Sequence, residues 1–562
     1  MTQANPPAGT GASHRPDPDR TYDVALLGAH LATGMLAAIL ARAGLRVLVA
    51  GVPQDATELS GETTVPYTAE VFMLLADRFE VPEIAAFGRF SDLPADLRRG
   101  SGIKRSLGFL YHREGTAQDP RESVQFNVPG EHTEWHPYRP DVDRYAIRVA
   151  EKYGVVTVPA GVVAEDAWVE DGAEGRVRCD DGTVYRARFL VDCAGPRSPL
   201  VRRHGGDDTE PRLQHRSRVL AARMRGVAPF EDLVDGSRYP RASAWSQGTV
   251  HHLFDGGWLQ LASFGNHGHS TNDGTSVTLS LDPDAFPDLP ADPGQAFRAV
   301  VDRFPDLKRQ FDTAVPDAWR DVPLIQRTAA RTHGDRWFAL ERSAVRDDLL
   351  LARDVTMTAE LVHALAGALI PALREGDLSA GRFAEVARFQ ERLAAFHDAW
   401  LAGARAACAD FALLNAFCRV WLLWQILADL SLKRARLDCK HAAARSGRPD
   451  WSPVERFDLG GVWFRAPGGL RELIDFTMDT LGQVRSGALA PRIAADDLFA
   501  RLRRDAFVPP LYAFGDPAAR IYRFTFLKRL QMLWWVKTKA PADFRRLLTQ
   551  DNVTSVSTRS SR

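Results

Sequence analysis

Thr21–Gly51, TYDVALLGAHLATGMLAAILARAGLRVLVAG, constrains the fold of this chain more than any other stretch. The apolar run Val24–Leu27 passes through Gly28 into a small-residue apolar segment that ends near Ala43. Gly44 closes that segment, and a second apolar run, Val47–Val49, follows. Strand, tight turn, helix, glycine stop and strand in about 30 residues is the βαβ unit that opens a dinucleotide-binding domain. Its turn would set the amides of a helix N-terminus where a pyrophosphate sits.

The usual G-x-G-x-x-G spacing is altered here. Its glycine positions read Gly28, His30 and Thr33, with Gly34 one residue late, and the second strand ends in Ala50 and Gly51 without a carboxylate for a ribose hydroxyl. The pattern therefore points to the fold more strongly than to the ligand. A nucleotide site and a purely structural βαβ unit both stay open at this point.

At 562 residues the chain has room for two or three domains, or one elaborated core with an appendage. Lys+Arg and Asp+Glu both number 71, so charge balance favours neither nucleic acid nor an anionic membrane surface as a partner. Five scattered cysteines without a CxxC pair fit a reduced, cytoplasmic protein with no zinc site. Residues 1–20, rich in Pro, Gly and polar side chains, read as a disordered tail rather than a signal peptide. Phe411–Leu432 is the most apolar long stretch, yet it carries Arg419 and Asp429, which suits a buried helix better than a membrane span.

Along the chain, Gly61-Glu62-Thr63-Thr64-Val65-Pro66 precedes a helical pattern over Tyr67–Arg78 and offers backbone donors and hydroxyls to a ligand, or simply an N-cap. Leu107–Tyr111 reads as a strand with Lys104 and Arg105 before it. A lysine there is a solvated charge unless it points into a cavity, where desolvation lowers its pKa. Arg139–Tyr153 reads as a short helix. Val155–Val163, Gly175–Cys179 and Val184–Val191 read as strands, the last two joined by an Asp180-Asp181-Gly182 turn and the last running into Asp192-Cys193-Ala194-Gly195. A strand ending in D-x-x-G can cradle the adenine-nucleotide side of FAD.

Thr249–Pro283 alternates in strand fashion and suggests a sheet covering a pocket. Its histidines, His251, His252, His267 and His269, lack the H-E-x-x-H spacing of a zinc site, and no metal is assigned to them. Val355–Leu373 and most of the chain beyond Phe383 read as helix, with the Trp and Phe of Leu414–Trp424 and Ile521–Trp535 expected in the core. The expected organisation is α/β: an FAD-binding βαβ domain with an inserted β-sheet substrate layer over 21–400, then a mostly helical region over 401–562.

These separated pieces together resemble the flavin-dependent halogenases, in particular the tryptophan-halogenase-like FAD-dependent oxidoreductases. The carriers are the βαβ start, Gly61–Pro66 (G-E-[ST]-T-[LIV]-P), Gly102-Ile103-Lys104, Arg139–Asp143, Asp192–Leu200 and His251–Trp258. The resemblance implies that FAD, reduced by a separate flavin reductase, activates oxygen, and that hypohalous acid crosses a tunnel to an active-site lysine. Lys104 stands where that lysine is expected. The family's partner glutamate has no assigned position in this sequence. Cofactor contacts are expected from Gly28, Ala32, Thr33, Glu62, Thr64, Arg139, Asp192, Gly195 and Asp348.

Departures are equally specific. W-x-W-x-I-P reads Trp258-Leu259-Gln260-Leu261-Ala262-Ser263, G-F-x-D-P keeps only Asp348, and the following S-x-G reads Ala352-Arg353-Asp354. An aspartate beside a halide would repel it. The implied function is an FAD-dependent monooxygenase or halogenase acting on an aromatic small molecule in specialised metabolism, with a homodimer compatible. The alternative is a halogenase-like pseudoenzyme that has lost flavin and serves as a binding or scaffolding partner.

Overall fold

The computed structural model describes residues 16–53, 59–127, 134–158, 169–171, 174–204, 206, 208, 212–455, 469–523 and 525–548. Most of the expected N-terminal tail lies outside these residues, as does the greater part of the expected strand Val155–Val163, of which Val156–Val158 is seen. Two sheets organise the rest. The first is mainly parallel and has Thr21–Ala29 at its centre, flanked by Val47–Pro53 and Val184–Asp192, with Val156–Val158 and Trp337–Ala339 outside them. Near-continuous apolar strands are what a parallel sheet covered on both faces demands, and Val24–Leu27 is fully buried.

The helix Leu31–Arg42 packs across the helix Arg139–Lys152. Gly34 makes that crossing possible: a Cβ there would stand 2.5–2.6 Å from the backbone and Cβ of Ala146. The glycine that looks misplaced in the fingerprint thus serves the close helix packing that the fold requires.

The second sheet is mainly antiparallel and joins Arg218–Arg225, Thr275–Leu281, Gly257–Ser263, Thr249–Phe254, Ser106–Tyr111 and Ser123–Asn127 in that spatial order. It supplies the substrate-side layer expected from the alternation over Thr249–Pro283. Position 400 falls inside the helix Ala380–Ala407, and one apolar core takes residues from both the βαβ unit and the helix Phe411–Ser446. The helical region is therefore packed directly on the cofactor-type domain.

Two helical stretches, Leu350–Glu375 and Phe411–Ala442, are long and apolar enough to cross a membrane, but 72% and 78% of their most apolar windows are buried in the protein. They are core helices. The expectation for Ile521–Trp535 needs correction. Within the helix Phe526–Thr538, Trp535 packs on Phe544, whereas Phe526 and Trp534 are 71% and 55% exposed. Only one face of this last long helix meets the core.

Candidate active site

Two three-residue strands, Gly102–Lys104 and Glu134–His136, pair antiparallel and set Lys104 opposite Glu134. Gly102 allows this placement, since a Cβ there would lie 1.9 Å from the Ser263 carbonyl oxygen. Both charged side chains are completely buried, and Lys104 Nζ is 3.2 Å from Glu134 Oε2. The ammonium also donates to Thr63 Oγ1 at 3.1 Å and to the Thr64 carbonyl. Glu134 thus stands beside Lys104 as its acidic neighbour, a pairing that the sequence did not assign. It escaped notice because its partnership depends on pairing between strands some 30 residues apart, not on local spacing.

A directional hydrogen-bond chain holds the lysine. His136 lies in dry surroundings that push its pKa down to about 3, so it is neutral. Its Nδ1 is 2.9 Å from the Ser263 carbonyl, which can only accept, so Nδ1 carries the proton. Nε2 must then accept from Thr249 Oγ1 at 3.0 Å. Thr249 in turn accepts from Thr63 at 2.9 Å, which leaves the Thr63 oxygen to accept from Lys104. His251, stacked on Phe109 at 4.7 Å, is also held neutral by burial, at about 4. No second cation competes with Lys104 among these groups.

Burial draws both members of the pair toward their neutral forms. It lowers the Lys104 pKa against the pull of Glu134, and it raises Glu134 to about 7 against the pull of Lys104. A carboxyl near neutrality beside a desolvated ammonium is suited to exchanging a proton at physiological pH.

Of the residues expected to contact the cofactor, Gly28 and Asp192 lie at strand ends of the first sheet. Gly28 has φ 89°, and a Cβ there would meet the Cys193 carbonyl oxygen at 3.0 Å. Gly51 approaches it from the next strand, its own Cβ position 3.2 Å from Gly28 N. These contacts pack the ends of the central strands around the first βα turn, the place where a dinucleotide lies in folds of this kind. His30, at the second glycine position, bonds the Cys193 carbonyl through Nε2 while its buried Nδ1 has no partner among the described residues. Asp143 accepts from Leu31 N at 2.9 Å, leaving the first-turn amides of Ala32 and Thr33 outside the intrahelical ladder.

The remaining expected contacts divide by role. Arg139 bonds Asp143 at 3.1 Å and reaches the Gly61 carbonyl at 3.4 Å and Asp354 at 3.5 Å. Asp354, expected to repel a halide, also accepts from Gly61 N at 2.8 Å, so Arg139 and an amide offset its charge. Glu62 is bound by Arg223 at 2.6 Å, and Thr64 Oγ1 donates to the Trp135 carbonyl at 3.0 Å, tying the G-E-T-T turn to the Glu134 strand. Asp192 is buried and caps its own turn, accepting from Ala194 N, Ser198 Oγ and Leu200 N. Gly195 N donates to Ser343 Oγ at 2.8 Å.

Asp348 faces burial, which opposes its ionisation, but His215 at 3.8 Å and the Ser280 and Ser217 hydroxyls hold its carboxyl at about 2. It also accepts from Trp258 Nε1 at 3.4 Å, so the surviving Trp of the eroded motif anchors this segment. Nearby, Leu351 and Ala352 have φ 68° and 56°, left-handed conformations that cost a side-chain-bearing residue about 1 kcal/mol or more each. The four histidines of the middle segment do not converge. His251 and His252 face different neighbours, with His252 bonded to His112 at 2.9 Å, and His267 bonds the Ser101 carbonyl.

A mainly parallel sheet opened by a βαβ unit, an antiparallel second sheet and a two-stranded ribbon that buries a lysine–glutamate pair together give the architecture of a dinucleotide-cofactor enzyme. Comparison with known proteins narrows the class. No family model matches the chain. It is 31% identical to the monodechloroaminopyrrolnitrin halogenase PrnC of Pseudomonas fluorescens, over 97% of this chain and 96% of that protein. It is likewise 31% identical to the tetracycline 7-halogenase of Kitasatospora aureofaciens, over 94% and 95% of the two chains. The crystal structure of halogenase PltM in complex with phloroglucinol and FAD superposes with a TM-score of 0.82 at 26% identity, covering 89% of this chain and 99% of that one. The chain belongs to the flavin-dependent halogenase family. Motif erosion had left a non-catalytic scaffold open; the relatives are enzymes and give that reading no support.

Proposed function

We propose that this chain is an FAD-dependent halogenase in which Lys104 and Glu134 act on an electron-rich aromatic small molecule. The observation that carries this reading is the sealed Lys104–Glu134 pair at 3.2 Å, with Glu134 lining a cavity beside it. When bound, FAD reduced by a separate reductase would activate molecular oxygen, which is the oxidant that converts halide to hypohalous acid. Gly28 and Gly51 would let backbone approach that cofactor, Ala32 and Thr33 would offer first-turn amides, and Arg139 would hold the Gly61 turn and Asp354 in place.

Lys104 presents an N–H donor in a dry site, where a donor polarises an O–halogen bond more strongly than it does in water. Its three N–H groups point to Thr63, Thr64 and Glu134. The contact with Glu134, the longest of the three at 3.2 Å, is the one that would open to let the N–H meet a ligand. Glu134 is then placed to take the proton that the ring loses after electrophilic attack. The likeness to PrnC, the tetracycline 7-halogenase and PltM supports halogenation over hydroxylation.

The test is to titrate purified protein with oxidised and reduced FAD, then assay halide incorporation with a reductase. Lys104→Ala should keep FAD affinity and lower halogenated product at least about a hundredfold. Loss of FAD binding in that variant would make Lys104 structural and overturn the assignment.

A further inference from the structure

The cavity beside Glu134 measures about 30 Å³ and is walled by apolar side chains, among them Leu107, Phe126 and Tyr512. Two polar residues that line it lack, among the described residues, the partners that buried polar groups almost always have. Gln425 is 2% exposed, and neither its amide oxygen nor its amide nitrogen has a hydrogen bond among the described residues. Trp421, 1% exposed and one turn earlier on the same helix, has no partner for Nε1 among the described residues. The Glu134 carboxylate, paired with Lys104, lines the same cavity.

That helix is rigid where it carries these groups. Trp424 stacks on Trp400 at 5.6 Å with a 12° interplanar angle, and Arg353 lies over the Trp424 ring. Leu422 and Ile426 are only partly buried and give the cavity its way out. A buried amide left unsatisfied on a fixed helix is a standing cost, and a ligand group that satisfies it relieves that cost.

We propose that Gln425, with Trp421, is a specificity-determining anchor that binds one hydroxyl of a neutral arene and so selects the ring carbon presented to Lys104. This rests on the Lys104–Glu134 reading of the reacting end. A hydroxyl matches the available groups: it donates to Gln425 Oε1 and accepts from Trp421 Nε1–H. A carboxylate-bearing ring does not match, because among the described residues lining the cavity Glu134 is the only acid or base apart from the Tyr512 phenol, and Lys104 stands 3.2 Å from it. The ring needs more room than about 30 Å³, so Leu422 and Ile426 move on binding.

Calorimetric titration of the full-length protein with resorcinol, 1,3-dimethoxybenzene and 3,5-dihydroxybenzoate tests this. Wild type should bind resorcinol at least tenfold more tightly than either of the others. Gln425→Met, which keeps the volume, should erase the preference over the dimethyl ether, and Trp421→Phe should reduce it. Lys104→Ala should leave the preference intact while abolishing halogenation, so failure of the anchor is distinguishable from failure of the lysine reading. A wild-type preference retained in Gln425→Met, or no binding of resorcinol to wild type, would overturn the proposal.

Discussion

At the scale of single residues, Glu134 is the group whose chemistry depends most directly on pH. Burial holds its carboxyl at about 7, so a proton acceptor at this position becomes available as pH rises toward neutrality. The pH profile of kcat/KM should therefore show a rising limb centred near 7. Glu134→Gln keeps the shape and removes the base; it should lower the rate about a hundredfold or more and flatten that limb. An unchanged limb in the variant would assign the ionisation to another group. Lys104 could be singled out from the sequence because it follows a glycine and precedes an apolar strand in a pattern shared with a known family. Glu134 and Gln425 could not. One acquires its partner only when two short strands pair, and the other is one of several polar residues scattered through a mostly apolar stretch of helix, where helical spacing alone reads as core.

At the scale of elements, the βαβ unit was legible because strand, turn and helix each leave a local signature, and the same holds for the D-x-x-G strand end and the G-E-T-T turn. The altered fingerprint invited the inference that the turn had lost its purpose. Packing shows otherwise at Gly34, which sits where the helix Leu31–Arg42 touches Ala146. Gly34→Ala separates two effects of opposite sign. Helix propensity alone would stabilise the variant by about 1 kcal/mol. A Cβ 2.5 Å from the Ala146 backbone forces the helices apart, an overpacking cost of about 1–3 kcal/mol. We expect a net loss of stability, read as a lower Tm and weaker FAD retention. A Tm above wild type would show that the two helices separate freely and that Gly34 has no packing role.

At the scale of the whole molecule, the same burial that prepares the site sets how stability varies with pH. His112 and His136 are held at about 3, and His251 and His397 at about 4, all by desolvation. Their folded pKa values lie below the ordinary 6.5, so their contribution is complete above pH 6.5 and is lost as pH falls toward 3–4, each by about 1.4 kcal/mol per unit. Glu134, at about 7, and Asp429, raised by burial and then by Glu70 to about 8, act in the opposite sense. Raised carboxyl groups stabilise the fold below their unfolded values, near 4, and lose that contribution as pH rises through their folded ones. Between about 4.5 and 6.5 the two sets oppose each other. Below that window the histidines dominate and stability falls. Above 6.5 the histidine contribution no longer changes, while Glu134 and Asp429 continue to weaken the fold until pH 8. Tm should therefore be highest on the acid side of neutrality and decline from pH 6.5 to 8, the range in which Glu134 becomes a competent base. Asp429→Asn removes one of the buried carboxyl groups whose ionisation burial resists and should flatten the upper part of that decline, measured by thermal unfolding in a buffer series. An unaltered decline would mean that Asp429 ionises normally in the fold and that the near-neutral loss comes from elsewhere. In this molecule the conditions that ready the reaction pocket are the ones that loosen the protein around it, because a carboxyl kept out of water resists ionisation in both roles.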